Sequence, residues 1–191
     1  AAVCVSGAQA RMNAVQQFEV SADGTTRVIE VVQGTYIVGA NLGTHSAYPD
    51  SVGFQLLGGY TAGCASRQVN PANTIIDGGN VADSYLAIVG DDDAGLLIEG
   101  LTFRNFRGSL NGAAVKLVLD VGTSDAALYQ IRYSRFLNNT ANQVVDMSGA
   151  QLRFVDNLVA NNTLVGAAIR TAVYAKYTYD ANTGVVANNN T

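Results

Sequence analysis

Three adjacent carboxylates, Asp91-Asp92-Asp93, are the densest group of chemically capable side chains in this 191-residue chain. Clustered carboxylate oxygens suit Ca²⁺, a hard cation that takes oxygen ligands. A pair of carboxylates is also what acid–base cleavage of a glycosidic bond needs. Two features weigh against both roles. Neighbouring residues on a strand point to opposite faces, and the run is bracketed by Gly90 and Gly95, so it reads as a solvated turn. No calcium-loop spacing accompanies it. The expectation is no cofactor and no catalytic residue, with Asp91, Asp92 and Asp93 as weak candidates for Ca²⁺.

The remaining reactive side chains are scattered. His45 is the only histidine; with no second histidine and no nearby cysteine it reads as a loop residue rather than a base or metal ligand. No Gly-x-Ser-x-Gly elbow presents a serine nucleophile. Glycine-rich segments lack the strand–loop–helix context that cradles phosphate. Arg104 and Arg107, just downstream of the acidic run, read as outward-facing solubilising residues. Tyr174, Tyr177 and Tyr179 form the densest aromatic group. Under strand alternation Tyr177 and Tyr179 share a face, where they would stack on sugar rings if exposed and fill the core if buried. Cys4 and Cys64 have no metal-ligand spacing. In a secreted protein they are expected to pair, a closure worth roughly 4 kcal/mol; the alternative is two unrelated buried thiols.

The elements that must position these groups are short strands. Apolar residues make up 48% of the chain and charged residues only 14%, which argues for a continuous core and against disorder. Glycine numbers 20 and proline 2, a balance suited to many strands joined by tight turns. A strand-like run, Leu97 to Phe106, ends in Phe103-Arg104-Asn105. Similar endings recur at Phe136-Leu137-Asn138, at Val159-Ala160-Asn161 and at Val186-Ala187-Asn188. These asparagines, Asn105, Asn138, Asn161 and Asn188, are spaced 33, 23 and 27 residues apart. An irregular period of that size, with strands between the marks, predicts a solenoid of β-coils with asparagine at the coil corners. Asparagine tolerates left-handed backbone angles there, and stacked amides bond to one another. Five to seven coils would make a rod of roughly 25–35 Å. Sequons at Asn138-Asn139-Thr140, Asn161-Asn162-Thr163 and Asn189-Asn190-Thr191 are expected by chance in so asparagine-rich a chain.

In chain order, residues 6–20 form the best helix candidate. Ser6 and Gln9 make a capping box, and Ala8, Met12, Val15 and Phe18 give one apolar face. Such a helix would cover the first coil, whose open edge needs protection; the alternative is a partner-binding helix. Residues 27–32 read as a strand, 36–38 as another, and 39–53 as loop. Further strands are expected at 54–60, 85–89, 96–103, 111–121, 126–136, 143–147, 151–155 and 167–179. The whole is one domain, residues 1–191, with the cap at 6–20 and coils over 27–191, continuing or stacking beyond residue 191.

The segments IEVVQGTY, GFQLLGGYTAGC and NTIIDGGN resemble the opening of secreted bacterial right-handed parallel β-helix proteins of the pectin-lyase-like superfamily. Phe136-Leu137-Asn138-Asn139, Asn111-Gly112-Ala113-Ala114-Val115 and Val165-Gly166-Ala167-Ala168-Ile169 are similar to the degenerate repeats of polymorphic outer-membrane and autotransported surface proteins. The resemblance implies an all-β fold, a right-handed parallel β-helix with an N-terminal capping α-helix. It implies no single activity. The His-Gly and Arg-Ile-Lys blocks of polygalacturonase-like members are missing, and His45 lies upstream of the acidic run. The expected function is a non-enzymatic, secreted or cell-surface structural solenoid of a bacterium, its signal peptide removed: an adhesin-like stalk or a subunit of an extracellular assembly. The alternatives are a polysaccharide lyase or hydrolase, and a carbohydrate-binding module using Tyr177 and Tyr179. Expected partners are further coils, end-to-end copies or a surface polysaccharide. The net charge of −4 argues against nucleic acid, which demands a basic surface. No apolar run is long enough for a membrane span.

Overall fold

A computed structural model describes residues 2–7, 27–38, 44–47, 54–83, 86–90, 95–108, 115–119, 128–149, 151–166, 171–177, 185–188 and 190–191. Among these residues the chain is all-β, apart from one 3-10 turn at Ala62–Cys64. The capping helix expected over residues 6–20 lies outside the described residues from Ala8 onward.

The chain opens with β1 (Ala2–Val5) and then makes repeated circuits of three strands. These are β2 (Arg27–Val32), β3 (Gly34–Ile37) and β4 (Thr44–Ala47); β5 (Phe54–Tyr60), β6 (Thr74–Asp77) and β7 (Leu86–Gly90); and β8 (Leu96–Glu99), β9 (Thr102–Arg104) and β10 (Val115–Leu119). Next come β11 (Leu128–Arg132), β12 (Arg135–Leu137), the short β13 (Thr140–Ala141) and β14 (Gln143–Gly149). The last circuit is β15 (Gln151–Val155), β16 (Leu158–Ala160), the short β17 (Thr163–Leu164) and β18 (Thr171–Tyr177), followed by β19 (Val185–Asn188). The first strand of every circuit joins a seven-stranded sheet, β1-β2-β5-β8-β11-β15-β19. The second strands form β16-β12-β9-β6-β3 and the third strands β18-β14-β10-β7-β4. All ladders between these strands are parallel, so the order is compatible with a β-solenoid.

Parallel stacking in register places like residues above like. Ile29, Leu56, Ile98, Ile131 and Phe154 form one buried column of the seven-stranded sheet. Leu96, Tyr129 and Leu152 form another. The second sheet supplies Ile76, Phe103 and Phe136 in register, all buried. Phe103 and Phe136 stack with centroids 5.3 Å apart, and Phe154 tilts onto Phe136 at 6.1 Å from the facing column. Each such ring gains about 1.5–3 kcal/mol from burial. Val145 and Met147 of β14 close the third side of the core.

Two of the expected strands turn out to be two strands each. Residues 96–103 break at Gly100 (φ 77) and residues 126–136 at Tyr133 (φ 47). A left-handed residue cannot continue an extended strand, so each run bends there from the first sheet into the second. Residues 39–53 are not all loop, because Thr44–Ala47 form β4 alongside β7. That strand was hidden by its composition, Thr-His-Ser-Ala, which lacks the apolar alternation of a half-buried strand.

Candidate functional site

The described polar chemistry gathers in three places, and in each it fastens one strand level to the next. The first is the outer side of the seven-stranded sheet. Between β5 and β6 the chain leaves the sheet and runs back over it as a strap, residues 61–73. Gln68 donates its N–H to the Gly59 carbonyl at 2.9 Å, and Arg67 bridges antiparallel to Tyr60. Contact this close requires glycine beneath. A Cβ on Gly59 (φ 97) would lie 2.0 Å from the Gln68 oxygen of the strap; one on Gly58 would instead lie 2.3 Å from the Gly100 oxygen, outside the strap.

The strap is anchored at both ends. Cys64 forms a disulfide with Cys4 of β1, across 60 residues of sequence, as expected of the only two cysteines. Three residues on, the Arg67 guanidinium donates to the Gly58 carbonyl at 2.9 Å and pairs with the Glu99 carboxylate at 2.6 Å. The other Glu99 oxygen accepts from Arg132 Nε. Glu99 is thus buried between two arginines from different levels of the fold. Thr102 of β9 adds a 2.6 Å bond to the Pro71 carbonyl. Tyr60 packs under the Arg67 guanidinium at 5.4 Å. Burial, reinforced by the charge of Glu30, raises the Tyr60 hydroxyl pKa against the opposing pull of Arg67.

The second place is Asp77 at the end of β6. Its carboxylate accepts from Gly79 N–H at 2.8 Å, from the Asn105 amide at 3.0 and 3.1 Å, and from Arg104 Nε at 2.7 Å. Burial pushes its pKa up, but the bonds from Gly79, Asn105 and Arg104 together outweigh it and hold the carboxyl below its ordinary value. Arg104 is therefore half of an ion pair rather than only a solubilising group, whereas Arg107 is exposed.

The third place is a pair of amide ladders. At the bend from the first sheet to the second, Asn157 accepts the Ser134 N–H at 2.9 Å and donates to the Ile131 carbonyl at 2.9 Å. Asn190 does the same one level on, to Asn157 N–H at 3.1 Å and the Phe154 carbonyl at 2.8 Å. At the bend from the second sheet to the third, Asn139 takes Phe106 N–H (3.0 Å) and the Phe103 carbonyl (3.1 Å). Asn162 takes Asn139 N–H (2.9 Å) and the Phe136 carbonyl (2.9 Å). Every one of these amides reaches back one circuit. Each satisfies an N–H and the C=O three residues before it, the two groups that a tight bend would otherwise leave without partners.

The predicted corner asparagines divide. Asn105, Asn138 and Asn161 are left-handed, with φ 58, 55 and 56, at equivalent corners after β9, β12 and β16. Asn188 is a correction: it lies in β19, in register with Val155, and so belongs to a different sheet. Its apparent equivalence arose because the bend from the first sheet to the second also uses asparagines, Asn157 and Asn190. The ladder residues went unpredicted although a signal was present. In Asn138-Asn139, Asn161-Asn162 and Asp156-Asn157 the first residue is left-handed and the second is the ladder.

Asp91, Asp92, Asp93 and Tyr179 lie outside the described residues. His45 sits in β4, its backbone in register with Ile88. Tyr177 ends β18 in register with Gly149, and Tyr174 is half-buried beside Asp146. Among the described residues, no three His, Cys, Asp or Glu side chains gather where a metal ion would sit, and no helix is long and apolar enough to cross a membrane. No family model, curated protein or solved structure matches the chain.

Proposed function

We propose that this chain is a right-handed parallel β-helix, akin to the pectin-lyase-like proteins it resembles in sequence, and that it acts as a structural element of a bacterial surface or extracellular assembly. The observation that carries this reading is where the polar side chains go. Asp77, Glu99, Arg67, Arg104 and Arg132 pair with one another across strand levels, and the ladder amides do likewise. Among the described residues, these carboxylates and guanidiniums are bound to the next strand. A rod fastened in this way resists axial separation, which suits a stalk or filament subunit. The disulfide fits an oxidising compartment outside the cytoplasm. On this reading copies associate end to end, by adding parallel strands to the terminal strands of the sheets.

Sedimentation velocity over a wide concentration range tests the assembly. Elongated species that grow with concentration are expected; a compact monomer at the highest concentration would count decisively against it. Incubation with uronic-acid polymers and Ca²⁺ is expected to give no cleavage. Product formation that disappears on replacing Asp91–Asp93 would instead identify a polysaccharide lyase or hydrolase.

A further inference from the structure

The equivalent corners after β9, β12 and β16 differ in one respect. The Asn105 amide is engaged by both Asp77 oxygens, and the residue two positions on is Arg107. Asn138 and Asn161 are exposed and make no side-chain hydrogen bond among the described residues. Two positions on from them stand Thr140 and Thr163, which pair with each other in the short β13–β17 ladder. The Asn-x-Thr tripeptide is the acceptor pattern for N-linked glycosylation. Among these three equivalent corners it is thus present at the two whose outer amide is free and absent at the one whose amide is used; the further tripeptide, Asn189-Asn190-Thr191, begins outside the described residues. In both tripeptides the middle asparagine, Asn139 or Asn162, carries the ladder bonds. The outer carboxamide is left available for derivatisation without loss of any bond that holds the fold.

We propose that Asn138 and Asn161 form one glycosylation site, which takes a single saccharide in N-glycosidic linkage at one or the other asparagine. The donor is a sugar held through its anomeric carbon as a phosphate ester, and the catalyst is a separate glycosyltransferase. The asparagine Nδ2 attacks the anomeric carbon, the new C–N bond forms as the C–O bond to phosphate breaks, and the phosphate leaves with that bonding pair. One amide proton passes to a base of the transferase. Leu137 pairs with Ala160, so the two asparagines lie on adjacent strand levels. At about 4.8 Å that spacing is too small for two branched sugars side by side, so the first saccharide excludes a second. The inference is independent of whether the chain has a structural role.

Intact-mass measurement and peptide mapping of the chain from the organism that makes it provide the test. The expected result is a mass raised by a whole number of sugar residues, with the sugar on the peptide bearing Asn138 or Asn161 and never on both in one molecule. The double variant Thr140→Ala/Thr163→Ala, made in the same organism, is expected to lose the sugar from the peptides bearing Asn138 and Asn161 with an unchanged circular dichroism spectrum. Thr140→Ser/Thr163→Ser keeps the acceptor pattern and is expected to keep the sugar, which separates loss of the pattern from loss of the fold. An unmodified natural chain, sugar retained in the alanine variant, or both asparagines occupied together would overturn the proposal.

Discussion

The early circuits and the late circuits of this molecule are held together by different means. From β1 to β11 the levels are joined by one strap, with a disulfide at Cys64 and the Arg67–Glu99–Arg132 cluster beyond it. From β9 onward, successive bends are joined by repeated amides, Asn139 and Asn162 on one side and Asn157 and Asn190 on the other. The strap is a single long-range fastening whose parts depend on each other. The ladders are modular, each amide closing only the bend one circuit before it. Such a difference teaches that a stack of parallel strands does not need a regular repeat throughout. Where no ladder amide is found among the described residues, a covalent and ionic clamp fixes the outer face instead.

The comparison is sharpened first by breaking the strap. Cys4→Ser/Cys64→Ser is expected to lower stability by about 4 kcal/mol, with faster amide exchange in β1 and β2 and little change in β15 and β16. Uniform loss of protection along the chain would instead make the two halves one cooperative unit. Next in size, Glu99→Ala leaves Arg67 and Arg132 without their shared carboxylate and should cost about 3 kcal/mol by chemical denaturation. Its effect should be non-additive with Arg67→Ala, since both remove the same contact. In the late half, Asn139→Ala strands the Phe106 N–H and the Phe103 carbonyl and should cost about 2 kcal/mol, with exchange rising at the bend after β9 while the strap stays protected.

The smallest effect expected is with pH. Asp77 is held below its ordinary pKa, so the folded state binds its proton less readily than the unfolded chain does. Its contribution is complete above the unfolded value of about 3.9 and is lost as pH falls through the lower folded value. An Asp77→Asn variant should therefore show a shallower stability loss than the parent on acidification below about pH 4. Parallel acid titrations of the two proteins by circular dichroism check this; identical curves would show that Asp77 does not govern the acid limb.

The fold was more legible in the sequence than its fastenings were. Short apolar runs and recurring asparagines pointed to stacked strands, and three of the four predicted corners are left-handed. The corner at Asn188 misled because different bends of one circuit draw on the same residue type. The ion pairs left no local trace. Asp77 and Arg104 are 27 residues apart, Glu99 and Arg132 are 33 apart, and Arg67 reaches Glu99 over 32. Partners one strand level apart in space lie a whole circuit apart in sequence, and circuits differ in length, so no fixed spacing exposes them. The strap was hidden for the same reason: nothing about Arg67 in sequence says that its loop folds back across strands made earlier. What the sequence did carry, unread, was the division of labour in each asparagine pair.

The ladders also set an order on synthesis. Each amide faces the circuit already made, so the bend at Phe103–Phe106 waits for Asn139, a residue that leaves the ribosome 33 to 36 positions later. At typical rates of about 5–20 residues per second that is a delay of seconds, far longer than a hairpin or helix needs to form. During that interval the nascent tip carries open backbone groups, and each arriving circuit seals the one beneath it. Any pause in translation within a circuit therefore prolongs exposure of a single, identifiable bend.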